Sequence, residues 1–368
     1  MKTVCELDMC SGCMACLDVC PKEAIHIDRN LRAYNAVIDE QKCIDCNLCH
    51  SLCQKNNPAP FHSPISWHQG WSRDEKQRKV SASGGLAAEL SKAFIKNGGV
   101  VCSCRVRSEQ FLFEFCSDLN EIPFFSGSKY IKSNPAHIYK PIKGRLRNGE
   151  KVLFIGLPCQ VSAVRNFVGD RLSEQLFTVD LICHGSPDPQ IFQSYLKQKH
   201  LDPENSAEVS FRGEKGFRLY RNGEIIEKGV QDTYTTAFLR SMCYTENCYS
   251  CQYAQLSRVS DITLGDSWGT DLVDEEKNGV SLVLCNTEKG EELLKNADVV
   301  LFSVDKMNAI SNNHQLSYPS LKHPRSEVFF SAVEKTKNLN FAMLLTEPKR
   351  ECKSMIKRIL SLIGINVN

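Results

Sequence analysis

The chain has 368 residues, enough for about two or three domains, and its 42% hydrophobic and 24% charged content is typical of a globular protein. A formal net charge of +2 argues against a nucleic-acid binder that depends on phosphate contacts. No apolar run is long enough for a transmembrane segment and the first residues lack an apolar signal region, so we expect a cytoplasmic protein.

Two copies of one cysteine pattern dominate the start of the chain. Both read Cys-x2-Cys-x2-Cys-x3-Cys, the spacing that wraps a [4Fe-4S] cluster. Three thiols on one loop reach different irons of a cluster, and the fourth thiol ligates the neighbouring cluster. We therefore predict one cluster on Cys10, Cys13, Cys16 and Cys53, and another on Cys43, Cys46, Cys49 and Cys20.

Zinc and disulfides fit these cysteines less well than iron–sulfur clusters do. Structural zinc usually takes two separated pairs of ligands, and disulfides belong mainly to small secreted domains. Nineteen cysteines without an export signal indicate a reducing compartment. Because exposed clusters degrade in oxygen, we expect an anaerobic or low-oxygen cytoplasm. The second copy departs from the first, since Gln54 follows it where Pro21 follows the first copy.

The pattern along the chain predicts an N-terminal ferredoxin-like module of the α+β type, followed by a larger α/β domain. Within the module, residues 1–57, the segments Glu23–Asp28 and Asn35–Asp39 alternate like two short paired strands. Prolines and asparagines then break regular structure, which predicts a linker over residues 58–80.

Strand and helix patterns alternate over residues 81–303, as is typical of an α/β sheet. Predicted strands cover Val100–Val106, Lys151–Gly156, Leu176–Cys183, Val280–Asn286 and Asp298–Ser303. Predicted helices cover Gly84–Asn97, Ala136–Arg147, Val161–Phe167, Pro189–Lys199 and Glu288–Asn296. A turn at Asn222-Gly223 predicts a β-hairpin.

Residues 304–368 are predicted to form a helical C-terminal tail. Its last segment, Lys349–Val367, has the pattern of a basic amphipathic helix. Such a helix is more often a docking or solvated face than a contact with a membrane surface.

Five motifs of the larger domain, in order and spacing, resemble the coenzyme F420 hydrogenase/dehydrogenase beta-subunit family. They are Ser81–Gly85, Ser126–Ser133, Val152–Gln160, Asp180–Gly185 and Asp261–Gly269. The resemblance covers nearly all of residues 1–300 and implies a flavin iron–sulfur oxidoreductase with FAD bound in the α/β domain. Some members of the family act on a deazaflavin coenzyme and others reduce chlorophyll derivatives, so the resemblance supplies no substrate.

A third [4Fe-4S] cluster is predicted on Cys159, Cys183, Cys248 and Cys251, with Cys243 as a competing ligand. Two of these thiols lie where predicted strands end, the edge at which open α/β sheets bind ligands. A lone Cys-x2-Cys pair is equally typical of zinc or redox sites, and buried thiols are often inert. Most of the support for this cluster therefore comes from the resemblance.

The resemblance also favours FAD contacts in two segments, at Ser81, Ser83, Gly84, Gly85, Ser128 and Lys129. The first segment opens a predicted helix, where free amides attract phosphate, although an ordinary serine N-cap fits the same residues. Lysine at the second segment would stabilise an anionic flavin, although a solvated lysine is the common case.

Two residues are catalytic candidates. His184 follows a predicted cluster ligand and titrates near neutral pH in its usual state, which favours a proton donor near the flavin. It could equally orient Cys183 or cap a turn. Asp266 would hydrogen-bond the flavin ring or the substrate, or shape its loop as an Asx-turn.

The predicted function is electron transfer between ferredoxin, another redox protein or reduced deazaflavin and FAD, and then to or from an unidentified substrate. The main alternative is an electron-transfer beta subunit of a hydrogenase or dehydrogenase complex, which would have partner subunits and no organic substrate. A cluster-bearing structural or sensor protein without flavin is a third hypothesis.

Overall fold

The computed structural model describes residues 1–108, 110–202, 204, 209–213, 216–228 and 230–362. The end of the predicted tail helix, beyond residue 362, lies outside the described residues. Among the described helices, none combines the length and apolar character needed to cross a bilayer.

The N-terminal module repeats one local structure twice. It consists of α1 (Ala15–Val19), β1 (Ile25–Arg29), β2 (Tyr34–Ile38) and α2 (Leu48–Leu52). The two strands pair antiparallel, which confirms the predicted pair. Each short helix starts after a residue in the left-handed region, Met14 in one copy and Asn47 in the other, so the third cysteine of each motif turns back toward the first two.

The remaining strands form two sheets. They are β3 (Ser66–Ser72), β4 (Val100–Arg107), β5 (Gln110–Cys116), β6 (Val152–Gly156), β7 (Leu176–Leu181), β8 (Val209–Gly213), β9 (Gly216–Arg221), β10 (Glu224–Ile225), β11 (Ile262–Asp266), β12 (Ser281–Cys285) and β13 (Val299–Ser303). An eight-stranded mixed sheet has the order β13-β3-β12-β11-β7-β6-β4-β5, and β8, β9 and β10 form a small antiparallel sheet. The latter contains the predicted hairpin.

The centre of the large sheet is parallel. Strands β4, β6, β7 and β11 run in one direction, while the flanking strands pair antiparallel. Both faces of β6 are buried, and its sequence is accordingly a continuous apolar run. Because parallel strands end at the same edge, the segments that follow β6, β7 and β11 meet there.

Helices cover both faces of this sheet and extend beyond it. They are α3 (Glu75–Val80), α4 (Leu86–Lys96), α5 (Tyr139–Arg147), α6 (Pro158–Val168), α7 (Pro189–Gln198), α8 (Thr233–Leu239), α9 (Glu246–Tyr249), α10 (Val273–Glu276), α11 (Glu288–Lys295), α12 (Lys306–Asn312), α13 (Ser326–Thr336), α14 (Leu339–Thr346) and α15 (Pro348–Leu362). The ferredoxin-like module and the larger mixed α/β domain therefore confirm the predicted fold class.

The predicted linker over residues 58–80 is wrong, because it contains β3 and α3. Strand β3 lies inside the large sheet and pairs with β12 on one side and β13 on the other. Its sequence, Ser66–Ser72, is rich in polar residues and lacks clear alternation, so backbone pairing rather than an apolar pattern makes it a strand. The α/β domain consequently begins before residue 81.

The predicted tail is helical but is not a separate segment. Phe329 and Phe330 of α13 are fully buried in the same core as Phe192 of α7 and Tyr234 of α8. A boundary at residue 304 therefore cuts through a packed core. Large apolar side chains of this region that do face solvent include Phe341 on α14 and Met355 and Ile356 on α15.

If α13 is part of the domain core, Phe329→Ala should lower the free energy of unfolding by about 3–5 kcal/mol, because a large buried side chain is replaced by a cavity. Phe341→Ala on α14 is the matched control, since Phe341 is 43% exposed and should cost much less. Urea unfolding followed by circular dichroism measures both. Equal losses for the two variants would contradict the packing of α13 described above.

Candidate metal centres

The first candidate centre is a cavity of about 330 Å³, including space open to solvent, in the N-terminal module. Its walls include all four thiols predicted for one cluster, Cys10, Cys13, Cys16 and Cys53. A fifth thiol, Cys5, also lines the cavity. A hydrogen bond from Cys5 lowers the pKa of Cys53 to about 6, whereas burial raises the pKa of Cys13 and Cys16.

The second centre is a cavity of about 560 Å³, including space open to solvent, at the other cysteine motif. The thiols that line it are Cys20, Cys43, Cys46 and Cys49. The structure therefore brings Cys20 to the second motif, as Cys53 is brought to the first. Cys46 is exposed, and none of the residues of α2 is buried. This centre is thus closer to solvent than the first.

The third centre is a cavity of about 690 Å³, including space open to solvent, between the module and the edge of the large sheet. Its thiols come from three segments. Cys159 lies in the first turn of α6, Cys183 follows β7, and Cys248 and Cys251 lie on and just after α9. Four thiols predicted from distant parts of the sequence therefore surround one cavity.

The competing ligand Cys243 lies elsewhere. Its side chain is fully buried in an apolar core with Tyr244 and Phe329, and it does not line the third cavity. Burial raises its pKa, as expected for a packed, neutral thiol. The structure therefore favours Cys248 over Cys243 as a ligand.

Burial also favours the protonated form of three thiols of the third cavity in the absence of a metal. It raises the pKa of Cys159 to about 12 and raises that of Cys183 and Cys251 as well. Iron or another coordinating metal would deprotonate such thiols directly. Among the described residues, no three His, Cys, Asp or Glu side chains converge as a site for a single ion, whereas cluster ligands each bind a different iron.

The first and third cavities share a wall made of Ser11, Gln54 and Lys55. Gln54 Nε2 donates to Ser11 Oγ at 2.8 Å, and Tyr253 Oη donates to Gln54 Oε1 at 2.6 Å. Gln54 is the residue that replaces the proline of the first motif. It therefore joins a predicted ligand of the first centre, Cys53, to the loop that carries Cys251.

A buried ion pair links the loop that lines the third cavity to strand β7 of the sheet. Arg258 and Asp180 are 2% and 0% exposed and lie 3.1 Å apart. Arg258 also donates to the carbonyl of Tyr253 at 2.8 Å, so it fixes the loop after Cys251. Burial raises the pKa of Asp180, and the guanidinium of Arg258 opposes that shift.

The first predicted FAD segment lies at the start of α4, but three of its donors are satisfied within the chain. Ser81 Oγ donates to Gln77 O at 2.7 Å, Ser83 Oγ donates to Val280 O at 2.9 Å, and Gly84 N donates to Ser281 Oγ at 2.9 Å. A Cβ on Gly84 would lie 2.3 Å from Gly70 O, so this glycine is required for packing. Gly85 adopts a φ of +86°, which favours glycine.

The second predicted FAD segment lies beside the first, since Gln77 Nε2 donates to both Ser81 Oγ and Ser126 Oγ at 3.2 Å. The Lys129 ammonium donates to three carbonyls of its own loop, the nearest at 2.7 Å from Phe125 O. Burial lowers the pKa of Lys129. Ser128 lies in the same loop. To bind Lys129, a flavin would have to replace these carbonyls as the acceptor of its hydrogen bonds.

His184 lines the third cavity next to Cys183. Its Nδ1 lies 2.6 Å from the side-chain amide of Gln315 and is hydrogen-bonded to it. Burial lowers the pKa of His184 to about 4. The expectation that His184 titrates near neutral pH is therefore wrong, and the ring is neutral at pH 7.

Asp266 ends β11 and forms an ion pair rather than an Asx-turn. Arg212 Nη1 donates to both of its carboxylate oxygens, at 3.0 and 2.9 Å. The guanidinium of Arg212 stacks over Phe217, 4.4 Å from the ring centre, and Phe217 packs against Trp268. The carboxylate thus belongs to a charged and aromatic cluster at the carboxyl edge of the sheet.

Sequence reasoning missed several residues at these centres. They are Cys5, Ser11, Lys132, Arg258 and Gln315. Gln54 carried a signal, its departure from the proline pattern, and Lys132 lies within the Ser126–Ser133 motif, whereas Gln315 is a single polar residue without a motif. Gln315 is 2% exposed, and its Oε1 has no hydrogen-bond partner within the described part of the chain.

Comparisons with known proteins distinguish the same two parts of the chain, the N-terminal module and the α/β domain. Residues 149–306 match the family model for the C-terminal part of the coenzyme F420 hydrogenase/dehydrogenase beta subunit, and residues 9–57 match a 4Fe-4S dicluster domain. A chain of the F420-reducing [NiFe] hydrogenase complex from Methanosarcina barkeri is similar in fold. It is 18% identical, with a TM-score of 0.50 over 72% of this chain and 97% of that chain. None of the curated proteins matches.

Replacing Arg258 by methionine should leave Asp180 buried without its cation. We expect Arg258→Met to lower the free energy of unfolding by about 3–5 kcal/mol at pH 7. The pKa of Asp180 is already raised by burial and should rise further, so protonation of the folded state should shrink this loss as the pH falls. Urea unfolding at pH 7 and pH 5 measures both effects.

The double variant Arg258→Met/Asp180→Asn serves as the control for this experiment. It removes both charges, so it should recover part of the stability and lose the extra pH dependence. A single variant as stable as the parent at pH 7 would show that the ion pair does not support this site.

Proposed function

We propose that this chain, which belongs to the coenzyme F420 hydrogenase/dehydrogenase beta-subunit family, is an iron–sulfur flavoprotein oxidoreductase. It would pass electrons between ferredoxin-type carriers, or reduced deazaflavin, and FAD, and then to or from a substrate. The observation that carries the proposal is the arrangement of twelve thiols around three cavities, two of which share a wall.

The chain would hold its clusters with three sets of thiols. These are Cys10, Cys13, Cys16 and Cys53; Cys20, Cys43, Cys46 and Cys49; and Cys159, Cys183, Cys248 and Cys251. Bound clusters supply one-electron chemistry, which a flavin converts into two-electron chemistry. The residues around them set the spacing, burial and hydrogen bonding of each site.

The second centre is the proposed contact with an external electron carrier. Cys46 is exposed there, and Ile44 and Leu48 beside it are 56% and 47% exposed. Exposed apolar side chains of this kind are typical of protein–protein contacts. Ferredoxin or another redox protein that docks on this face would lie near the second set of thiols.

FAD is proposed at the two neighbouring segments that contain Ser81, Ser83, Gly84, Gly85, Ser128 and Lys129. Support comes from the family and from the hydrogen bonds that Gln77 makes to both segments. Since the side-chain donors are engaged within the chain, we assign none of them a step in the reaction. Backbone amides at the start of α4 fit a phosphate better than these side chains do.

The catalytic candidates take modified roles. Neutral His184 would present its Nε2 toward the third cavity, because Nδ1 is hydrogen-bonded to the side-chain amide of Gln315. Asp266 would orient Arg212 toward the carboxyl edge, where a cation suits an anionic group. Both proposals keep these residues near the sheet edge at which α/β proteins bind ligands.

An electron-transfer subunit without its own organic substrate is the second candidate function. The similar fold belongs to a chain of a multi-subunit hydrogenase complex. Exposed apolar side chains on α14 and α15 give this candidate a docking surface. They are Phe341, Leu344, Leu345, Met355 and Ile356.

Anaerobically purified protein should contain about twelve irons per chain, from three four-iron clusters, and one FAD. Cys251→Ala should lose about four irons, because it removes a ligand of the third cluster. Cys243→Ala should keep the full iron content, since Cys243 lies in the apolar core. Iron, acid-labile sulfide and flavin analyses provide the measurement, and about eight irons in the parent would exclude the third cluster.

Turnover by the isolated chain separates the two candidate functions. An oxidoreductase with a complete site should exchange electrons between reduced ferredoxin or reduced deazaflavin and its own flavin, seen as bleaching of flavin absorbance. A preparation with full iron and flavin that reacts only after partner subunits are added would instead support the electron-transfer subunit. Heat-treated protein is the control for direct chemical reduction.

A further inference from the structure

Lys132 is a buried cation at the boundary between the module and the α/β domain. Its side chain is 5% exposed, and its ammonium donates to the carbonyl of Ser11 at 3.0 Å. The ammonium also lies 5.2 Å from the ring centre of Tyr34. None of these described contacts is with a carboxylate.

The lysine lies between two of the three sets of thiols. It lines the third cavity, and its charge opposes the burial that raises the pKa of Cys159. Its partner Ser11 also lines the first cavity and follows Cys10, whose pKa is lowered mainly by a hydrogen bond from Cys5 and further by Lys132. Lys132 itself lines neither the first nor the second cavity, and Ser11 does not line the second.

A buried ammonium without a carboxylate partner is unfavourable unless another anion compensates it. Thiolate-ligated iron–sulfur clusters carry net negative charge, because four thiolates and four sulfides outweigh the charge of the irons. Two such clusters, one on each side of Lys132, would supply the missing anions. This reasoning rests on the proposed function, since it requires the clusters to be present.

We propose that the positive charge of Lys132 raises the reduction potentials of both the first and the third cluster. Reduction adds one electron to a cluster and makes it more negative. A nearby cation stabilises that more negative state, most effectively in a buried environment of low dielectric constant. The second site, whose cavity is lined neither by Lys132 nor by its hydrogen-bond partner Ser11, serves as an internal reference.

The test is a potentiometric titration of the three clusters, followed by electron paramagnetic resonance. Lys132→Met removes the charge and should lower the ratio of reduced to oxidised cluster at the first and third sites by about tenfold, a shift of about 59 mV for one electron. Lys132→Arg keeps the charge and should leave both midpoints near those of the parent. The second site should not move in either variant.

Two further sets of variants make the result interpretable. Lys151→Met is the matched control, because Lys151 is exposed and precedes β6 at the opposite edge of the sheet, where solvent screens its charge. Cys16→Ala, Cys46→Ala and Cys251→Ala each disable one site and thereby assign the three transitions.

Iron content separates failure of this proposal from failure of the proposed function. A parent with about eight irons would contradict the third cluster. If Lys132→Met loses iron, Lys132→Gln removes the charge while keeping a donor for Ser11. Charge-removing variants with full iron and unchanged midpoints would overturn the role of Lys132, and so would an equal shift at all three sites.

Discussion

The docking of the N-terminal module on the carboxyl edge of the sheet is the contact on which electron transfer in this chain depends. Electron transfer weakens steeply with distance, so two cluster sites are useful to each other only if they lie close together. Gln54 and Ser11 meet this constraint by lining both the first and the third cavity. On the far side of the module, Asp18 accepts from the backbone N of Tyr139 at 3.0 Å and holds α1 at the start of α5.

Local spacing explains why the two N-terminal cluster sites were predictable from sequence. Cysteines two or three residues apart must share a loop, and the repeat identifies the partner of each fourth thiol. The third site offers no such constraint, because Cys159, Cys183 and Cys251 meet only through the topology of the sheet. Predicted strand ends indicated an edge, but the choice between Cys243 and Cys248 depended on how one short helix packs.

The errors in domain boundaries have a common physical cause. Strand β3 is stabilised by backbone pairing on both sides, and α13 by packing against α7 and α8, which lie far earlier in the chain. The polar sequence of β3 shows no apolar alternation, and the apolar spacing of α13 predicts a helix without identifying the distant helices that it packs against. Likewise, the pKa of His184 depends on burial against His314 and Gln315, which the sequence near residue 184 does not contain.

The position after Cys53 illustrates how a departure from a motif can carry information. Proline there lacks a side chain that can hydrogen-bond, whereas the amide of Gln54 donates to Ser11 and accepts from Tyr253. The backbone carbonyl of Gln54 also accepts a hydrogen bond from Gln252 Nε2 at 2.6 Å. A module that served only as a free electron carrier would have no need for these bonds, so Gln54 suits a module that is fixed to one partner site within its own chain.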